Sequence, residues 1–460
     1  MPPKQRRSSK ATAKPENCTA IVDSSDGASV DPNTTILNNT SSVDDYPNRP
    51  FIGTDRQIEE SGDSMYGCAF NPYIPPYEDQ LAVAVGGENI ILFKCPLAEK
   101  KLVRLGKQQV ESNEELWTCT WAYDRLDKKK EHKVVCAGRS GVIYVVDSST
   151  LEVDRELVGH GKSVNDVRAC PTDFGLFASA SLDRSVRVWH IREETCLLIF
   201  GTRLVLMDEV GSVDWSPDSR KLISCGFNHR VMSWDLQDPL IQEHMEICQG
   251  RIDNGLPVGA VELRGISDNL KMQEAIFNLD GHSLIYTKPD YIIDDIHFHC
   301  VDSLRAIHLN HKLYIVSKST SNESALAFWR FGTIEETERR VKEGPLKNHV
   351  KFWKRYIEGG FPWFVKLAVD PKKKWVAVGA TAGRVHFFDM RDRNKTKPDL
   401  TVRADWNHGI IRQVDFSPDG SMVLAVGDAG YVGRLDRVPA NLDKKPKDTW
   451  RIQRRRSTYQ

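Results

Sequence analysis

The chain has 460 residues, long for one ordinary domain but well within reach of a closed repeat fold that grows by adding units. Lysine plus arginine and aspartate plus glutamate both number 63, so the formal charge is zero and no global field draws the molecule to nucleic acid or membrane. No segment approaches the roughly 20 apolar residues of a bilayer span, and the ten cysteines stand singly, as expected of small buried hydrophobes in a reducing compartment.

Residues 1–48 are rich in Ser, Thr, Asn, Asp and Pro and almost lack aromatic residues, so they are expected to form a disordered tail. The opening MPPKQRRSSKATAKPENC has no apolar stretch of the kind that directs secretion, which points to the cytosol or nucleus. Its basic residues, and those of a short C-terminal tail over 441–460 (Lys444, Lys445, Lys447, Arg451, Arg454, Arg455, Arg456), suit nuclear import, loose phosphate contact or plain solubility. Any nucleic-acid contact is therefore confined to the tails.

From residue 49 to about 440 the texture is all-β: short apolar runs alternate with Gly, Asp, Asn and Ser turns. Three stretches share one grammar, GHGKSVNDVRACPTDFGLFASASLDRSVRVWHIR (159–192), DEVGSVDWSPDSRKLISCGFNHRVMSWDL (208–236) and IIRQVDFSPDGSMVLAVGDAGYVGRLD (410–436). A strand runs into Ser-Pro or Cys-Pro, a second ends in small residues, and a third ends in Trp-His, Trp-Asp or Leu-Asp. Gly159-His160 and Trp234-Asp235 are the GH and WD dipeptides of WD40 repeats, which recur every 40–45 residues or so. Counting third-strand endings (Phe93-Lys94, Val146-Asp147, Trp189-His190, Trp234-Asp235, Trp329-Arg330, Phe388-Asp389, Leu435-Asp436) predicts a seven-bladed β-propeller. FIGTDRQI at 51–58 is then free to supply the outer strand of the last blade and close the ring. Residues 237–290 and 332–356 exceed what blade loops need and are expected to emerge as surface insertions where partners bind.

Enzyme signatures are missing: there is no GxxxxGK, HExxH or GxSxG, so neither catalysis nor a cofactor is expected. HFHC at 297–300 places His297 and His299 on one face of a strand and Cys300 on the other, which argues against zinc and for a polar blade-edge strand. Asp183, Asn228 and Asp428 read as turn caps. Trp189-His190-Ile191-Arg192 is close to the WDxR pattern of propellers that serve cullin ubiquitin ligases as substrate receptors, with His in place of Asp.

The first strand of each blade lines the central channel, so the residue at its start faces the channel mouth. Aromatics stand at or beside that position in blades one, two and six: Tyr66, Trp117 and Trp363-Phe364. Blades three, four and seven have Ser163-Val164-Asn165, Val210-Gly211-Ser212 and Ile411-Arg412-Gln413 there. In a closed ring the aromatics crowd one side of the mouth, where they form a cage for a quaternary ammonium or simply plug the channel. Trp121, matching Phe70, Trp215 and Phe416, is instead expected to pack between blades.

The strings ELWTCTWAYD, GHG with SASLDRSVRVWHI, LIFG with DEVGSVDW and LISCGFNHRVMSWDL, and IIRQVDFSPDG resemble the Polycomb propeller family known as Extra sex combs or embryonic ectoderm development (EED), over about residues 51–437. The divergent tails and the long 237–290 segment are similar to its nematode maternal-effect-sterile branch. The resemblance implies a nuclear, non-catalytic subunit of Polycomb repressive complex 2, which methylates a repressive lysine on histone H3. It implies that a trimethylated H3 tail binds in an aromatic cage at one end of the channel and that an Enhancer of zeste-type SET-domain methyltransferase is held at the other, stimulated by product. Carried over by position, the cage is Tyr66, Trp117, Trp363 and Phe364, with Asn165, Lys366 and Arg412 as peptide contacts at the rim. Tyr66, Trp117 and Phe364 differ in ring type from the usual family residues, while departures in the insertions imply at least one further, divergent subunit.

Overall fold

The computed structural model describes residues 51–125, 131–201, 208–258, 275–277, 283–286, 288–320, 325–332, 349–356, 362–392, 395, 397–403 and 409–438. Both tails and much of the two insertions lie outside these residues.

Seven blades surround the channel, antiparallel throughout except for one outer pair in blade three. Their innermost strands are Gly67–Phe70, Leu116–Tyr123, Val164–Ala169, Val210–Trp215, Val301–Leu309, Leu367–Val369 and Ile411–Phe416, and each packs against the next around a closed circle. All seven third strands fall where the sequence places them. The strand Phe51–Ile58 pairs antiparallel with Tyr431–Arg437 and completes blade seven. Phe51, fully buried, stacks on Phe387 of blade six with centroids 4.8 Å apart, so the closing strand is held by side chains as well as by its ladder.

The core lies between blades rather than inside any one, because each sheet has two apolar faces that only its neighbours can cover. Ala137 and Val145 of blade two pack with Val167, Phe177 and Trp189 of blade three, and Cys68 and Phe93 of blade one pack with Leu424 and Val432 of blade seven. Every described cysteine is buried, and none of them forms a disulfide.

Blade three shows why the GH and WD positions recur. Trp189 Nε1 donates to Ser179 Oγ at 2.8 Å, Ser179 Oγ meets His160 Nε2 at 2.6 Å, and His160 Nδ1 lies 2.8 Å from Asp183. Asp183 also caps its own turn by accepting from the Ser185 amide. The chain of bonds satisfies four buried polar groups and ties the loop before the first strand to the third strand.

Blade five repeats the arrangement in a place the sequence did not suggest. Residues 297–300 are not a blade-edge strand but a bent segment. His297 is fully buried beside Ser317 at 2.7 Å, and Trp329 donates to the same hydroxyl at 2.9 Å. His297 is thus the GH-type histidine of its blade, while His299 is exposed and turned elsewhere.

The 237–290 segment also departs from a surface loop. Helix Pro239–Asp253, capped by Asp238 with proline at its first turn, buries Ile241, Cys248 and Ile252 in the core of blades three and four. Strand Leu284–Tyr286 pairs parallel to Leu198–Phe200, and Ala275–Phe277 adds to its far side, so blade three has six strands. In the second insertion, His349–Tyr356 is simply the outer strand of blade five.

Candidate functional site: an aromatic channel mouth

One irregularity positions the rim. In five innermost strands the ladder register slips by one residue, at Trp117, Asn165, Gly211, Asp302 and Arg412. Tyr66 and Lys366 hold the same place in blades one and six, just ahead of the first paired residues Gly67 and Leu367. A bulge re-aims its extra residue out of the alternating pattern. Here it sets Trp117 and Arg412 at the mouth, while Asn165 and Asp302 at the equivalent places are buried and Gly211 offers only backbone.

Tyr66, Trp117 and Trp363 are half-buried and converge on Phe364. The Phe364 centroid lies 5.5 Å from Tyr66, 5.5 Å from Trp117 and 5.8 Å from Trp363, all edge-to-face. Phe364 itself is only 5% exposed and has φ of 60°, a left-handed conformation that costs a bulky residue energy. The four expected aromatics therefore do meet, with Phe364 as floor and the other three around it.

Cations already attend two of these rings. The Arg412 guanidinium lies 5.4 Å from the Tyr66 centroid. It is fixed by Asp428 at 2.7 Å and donates to the Trp363 carbonyl at 3.0 Å. Burial raises the pKa of the Tyr66 hydroxyl, and Arg412 works against that rise. The Lys366 ammonium sits 5.2 Å from the Phe364 centroid. Lys366 is buried and donates to the carbonyls of Gly211 at 2.6 Å and Asp302 at 2.9 Å, so its charge points inward across the channel. Burial lowers its pKa, opposed by Asp166 and Asp302. Asn165 is also buried: its amide nitrogen donates to Val210 O at 2.7 Å, and its amide oxygen has no hydrogen-bond partner.

Phe227 is a ring the sequence reading missed. It follows the second strand of blade four and packs on Trp363, centroids 4.7 Å apart at 52°. Its signal was available: GFNH carries an aromatic where blades three and seven have SLDR and GDAG.

At the opposite end, where the first strands run out, a cleft of about 340 Å³ separates the insertion helix from blades three and four. Trp215, Leu236, Ile241 and Met245 line it, with Asp173, Asp218 and Glu246 at its edge. The Trp189–Arg192 motif offers less to a partner, because Arg192 is bonded to Asp124 of blade two at 2.5 Å and its backbone N–H is accepted by His190.

Comparison with known proteins agrees with this architecture. The description "WD domain, G-beta repeat" matches residues 152–190 and 204–235. Polycomb protein mes-6 of Caenorhabditis elegans is 32% identical over 441 residues, covering 88% of this chain and 95% of that one. Polycomb protein esc of Drosophila melanogaster is 25% identical over 380 residues, 82% of each chain. A chain of the Chaetomium thermophilum polycomb repressive complex 2 has the same fold, with a TM-score of 0.64 at 14% identity across 85% of this chain and 98% of that one. The seven closed blades and the near-full-length identity to mes-6 place the chain in the Polycomb WD40-propeller family of Extra sex combs.

Proposed function

We propose that the chain is a nuclear, non-catalytic subunit of a Polycomb repressive complex 2-type histone H3 methyltransferase, reading trimethylated lysine of the H3 tail at its aromatic mouth. The observation that carries this reading is the convergence of Tyr66, Trp117, Trp363 and Phe364 on one side of the channel. A trimethylammonium has no N–H to donate, so aromatic faces suit it better than carboxylates do, at about 0.5–2 kcal/mol for a cation over a ring. Arg412 is assigned to the peptide backbone, while Asn165 and Lys366, both buried rather than open at the rim, are assigned to holding the mouth from within. A fold neighbour described as ctPRC2 in complex with H3K27me3 and H3K27M is in keeping with this assignment.

The SET-domain partner is assigned to the opposite end, where the cleft beside helix Pro239–Asp253 offers apolar walls and an acidic edge. Occupancy of the mouth then stimulates that partner, and a further subunit takes part of the remaining surface. No helix among the described residues is long and apolar enough to cross a membrane.

Titration of trimethylated and unmethylated H3 tail peptides tests the reading. The wild type should prefer the trimethylated peptide, and Trp363→Ala should weaken that binding by about 5- to 30-fold, equivalent to ~1–2 kcal/mol. Equal affinities of wild type for both peptides would overturn it. Copurification from nuclei should bring down a SET-domain methyltransferase; recovery of a cullin adaptor in its place would favour the ligase-receptor reading.

A further inference from the structure

Each ring of the mouth has a visible restraint except one. Trp117 stands on an innermost strand at its bulge, and Tyr66, just ahead of Gly67, has its backbone fixed by an N–H donated to Val85 O at 2.9 Å. Tyr66 has Arg412 beside its face. Phe364 is covered by three rings and by Lys366. Trp363 lies in the bent segment before Leu367–Val369, outside any strand, and only its carbonyl is tied, by Arg412. A half-buried indole on such a segment has more than one staggered rotamer open to it, and its backbone alone does not choose among them.

Phe227 is the ring that restricts it. Its backbone is fixed, since its N–H donates to Glu209 O at 3.0 Å immediately after the ladder residue Gly226. Its side chain meets the indole at 4.7 Å, the shortest ring contact of the mouth. Trp363 is thus held between Phe364 of its own segment and Phe227 of blade four.

We propose that Phe227 is a positioning residue of the methyl-lysine site: it holds Trp363 in the orientation that faces the ligand cation. The inference rests on the reading of the mouth as a trimethyl-lysine cage. It extends the site to blade four, outside the aromatic set legible in the first strands. An aromatic pair of this kind is worth about 2- to 10-fold in an equilibrium, and that is the loss expected at the site it pre-organises.

The test is a double-mutant cycle on the full chain, read as the ratio of affinities for trimethylated and unmethylated H3 tail peptides. Phe227→Ala should reduce that ratio by about 2- to 10-fold, and Phe227→Tyr, which keeps the ring, should restore it. In a Trp363→Ala background, Phe227→Ala should have no further effect, because a residue that acts through another cannot act twice. A half-buried Phe227 that served stability alone would shift the melting temperature and leave the ratio untouched. Additive losses, or an unchanged ratio in Phe227→Ala, overturn the positioning role while the cage stands. A wild type without preference for trimethylation overturns the cage, and the positioning role with it.

Discussion

Ser317 Oγ accepts from Trp329 Nε1 at 2.9 Å and shares a hydrogen bond with His297 Nε2, 2.7 Å away. The imidazole is neutral, and burial together with Lys354 and Lys318 holds its pKa down at about 3 against an ordinary 6.5. The unfolded chain therefore takes up this proton first as pH falls. The stability His297 contributes is complete above pH 6.5 and is lost progressively as pH drops toward 3, at up to about 1.4 kcal/mol per pH unit. Asp415, raised by burial to about 6, runs in the opposite sense and loses its contribution as pH rises. Comparing wild type with His297→Gln separates the two: denaturant melts from pH 7 to pH 4 should show a shallower acid loss in the variant, and parallel curves would refute the assignment. His297 was hard to read in the sequence because its blade lacks the GH dipeptide that marks His160. Trp117 and Trp121 were easier. Trp121 of blade two donates to Ala69 O of blade one at 3.0 Å, and Trp215 of blade four repeats that bond to Arg168 O of blade three, so the inter-blade position carries a periodic signature. Trp117 occupies the bulge. Phe227 is marked only as an aromatic in a turn, GFNH, and its role depends on a Trp363 contact across 136 positions of sequence that no local pattern encodes.

Among elements, the closing strand makes the clearest energetic statement. Phe51–Ile58 and Tyr431–Arg437 come from opposite ends of the folded region, so their pairing closes a very long loop and fixes the ring. Phe51 anchors that closure against Phe387 and Phe416, at 4.8 and 5.8 Å. Phe51→Ala should cost about 3–5 kcal/mol, seen as a lowered denaturant midpoint; a loss under about 1 kcal/mol would mean that the strand ladder alone closes the ring. The strand was legible because it is the one alternating run left without a blade. The 237–290 insertion was not. Its strands are three residues long, one pairs parallel with a distant partner, and neither length nor alternation distinguishes such a segment from a loop. The helix was obscured for another reason, since its buried face is mixed, with His244 and Cys248 beside Ile241 and Ile252.

For the whole molecule, the innermost strands set the distance between the two candidate surfaces. A strand of about six residues spans roughly 20 Å, so the aromatic mouth and the cleft beside helix Pro239–Asp253 lie at opposite ends of a densely packed ring. Packed interiors deform little, and each surface should fail independently. Trp117→Ala should weaken trimethylated-peptide binding by about 5- to 30-fold and leave copurification of the SET-domain partner intact. Met245→Glu, which places a charge in the apolar cleft without opening the core, should release the partner and leave peptide affinity within about 2-fold. Quantitative pull-downs and peptide titrations on the same two variants read both axes. If each variant loses only its own function, the proposed stimulation of the methyltransferase is not relayed as a deformation along the ring. If either variant loses both functions, the ring itself has two states, and the inward-pointing Lys366, bonded to blades four and five beneath Phe364, is the element on which that coupling would act.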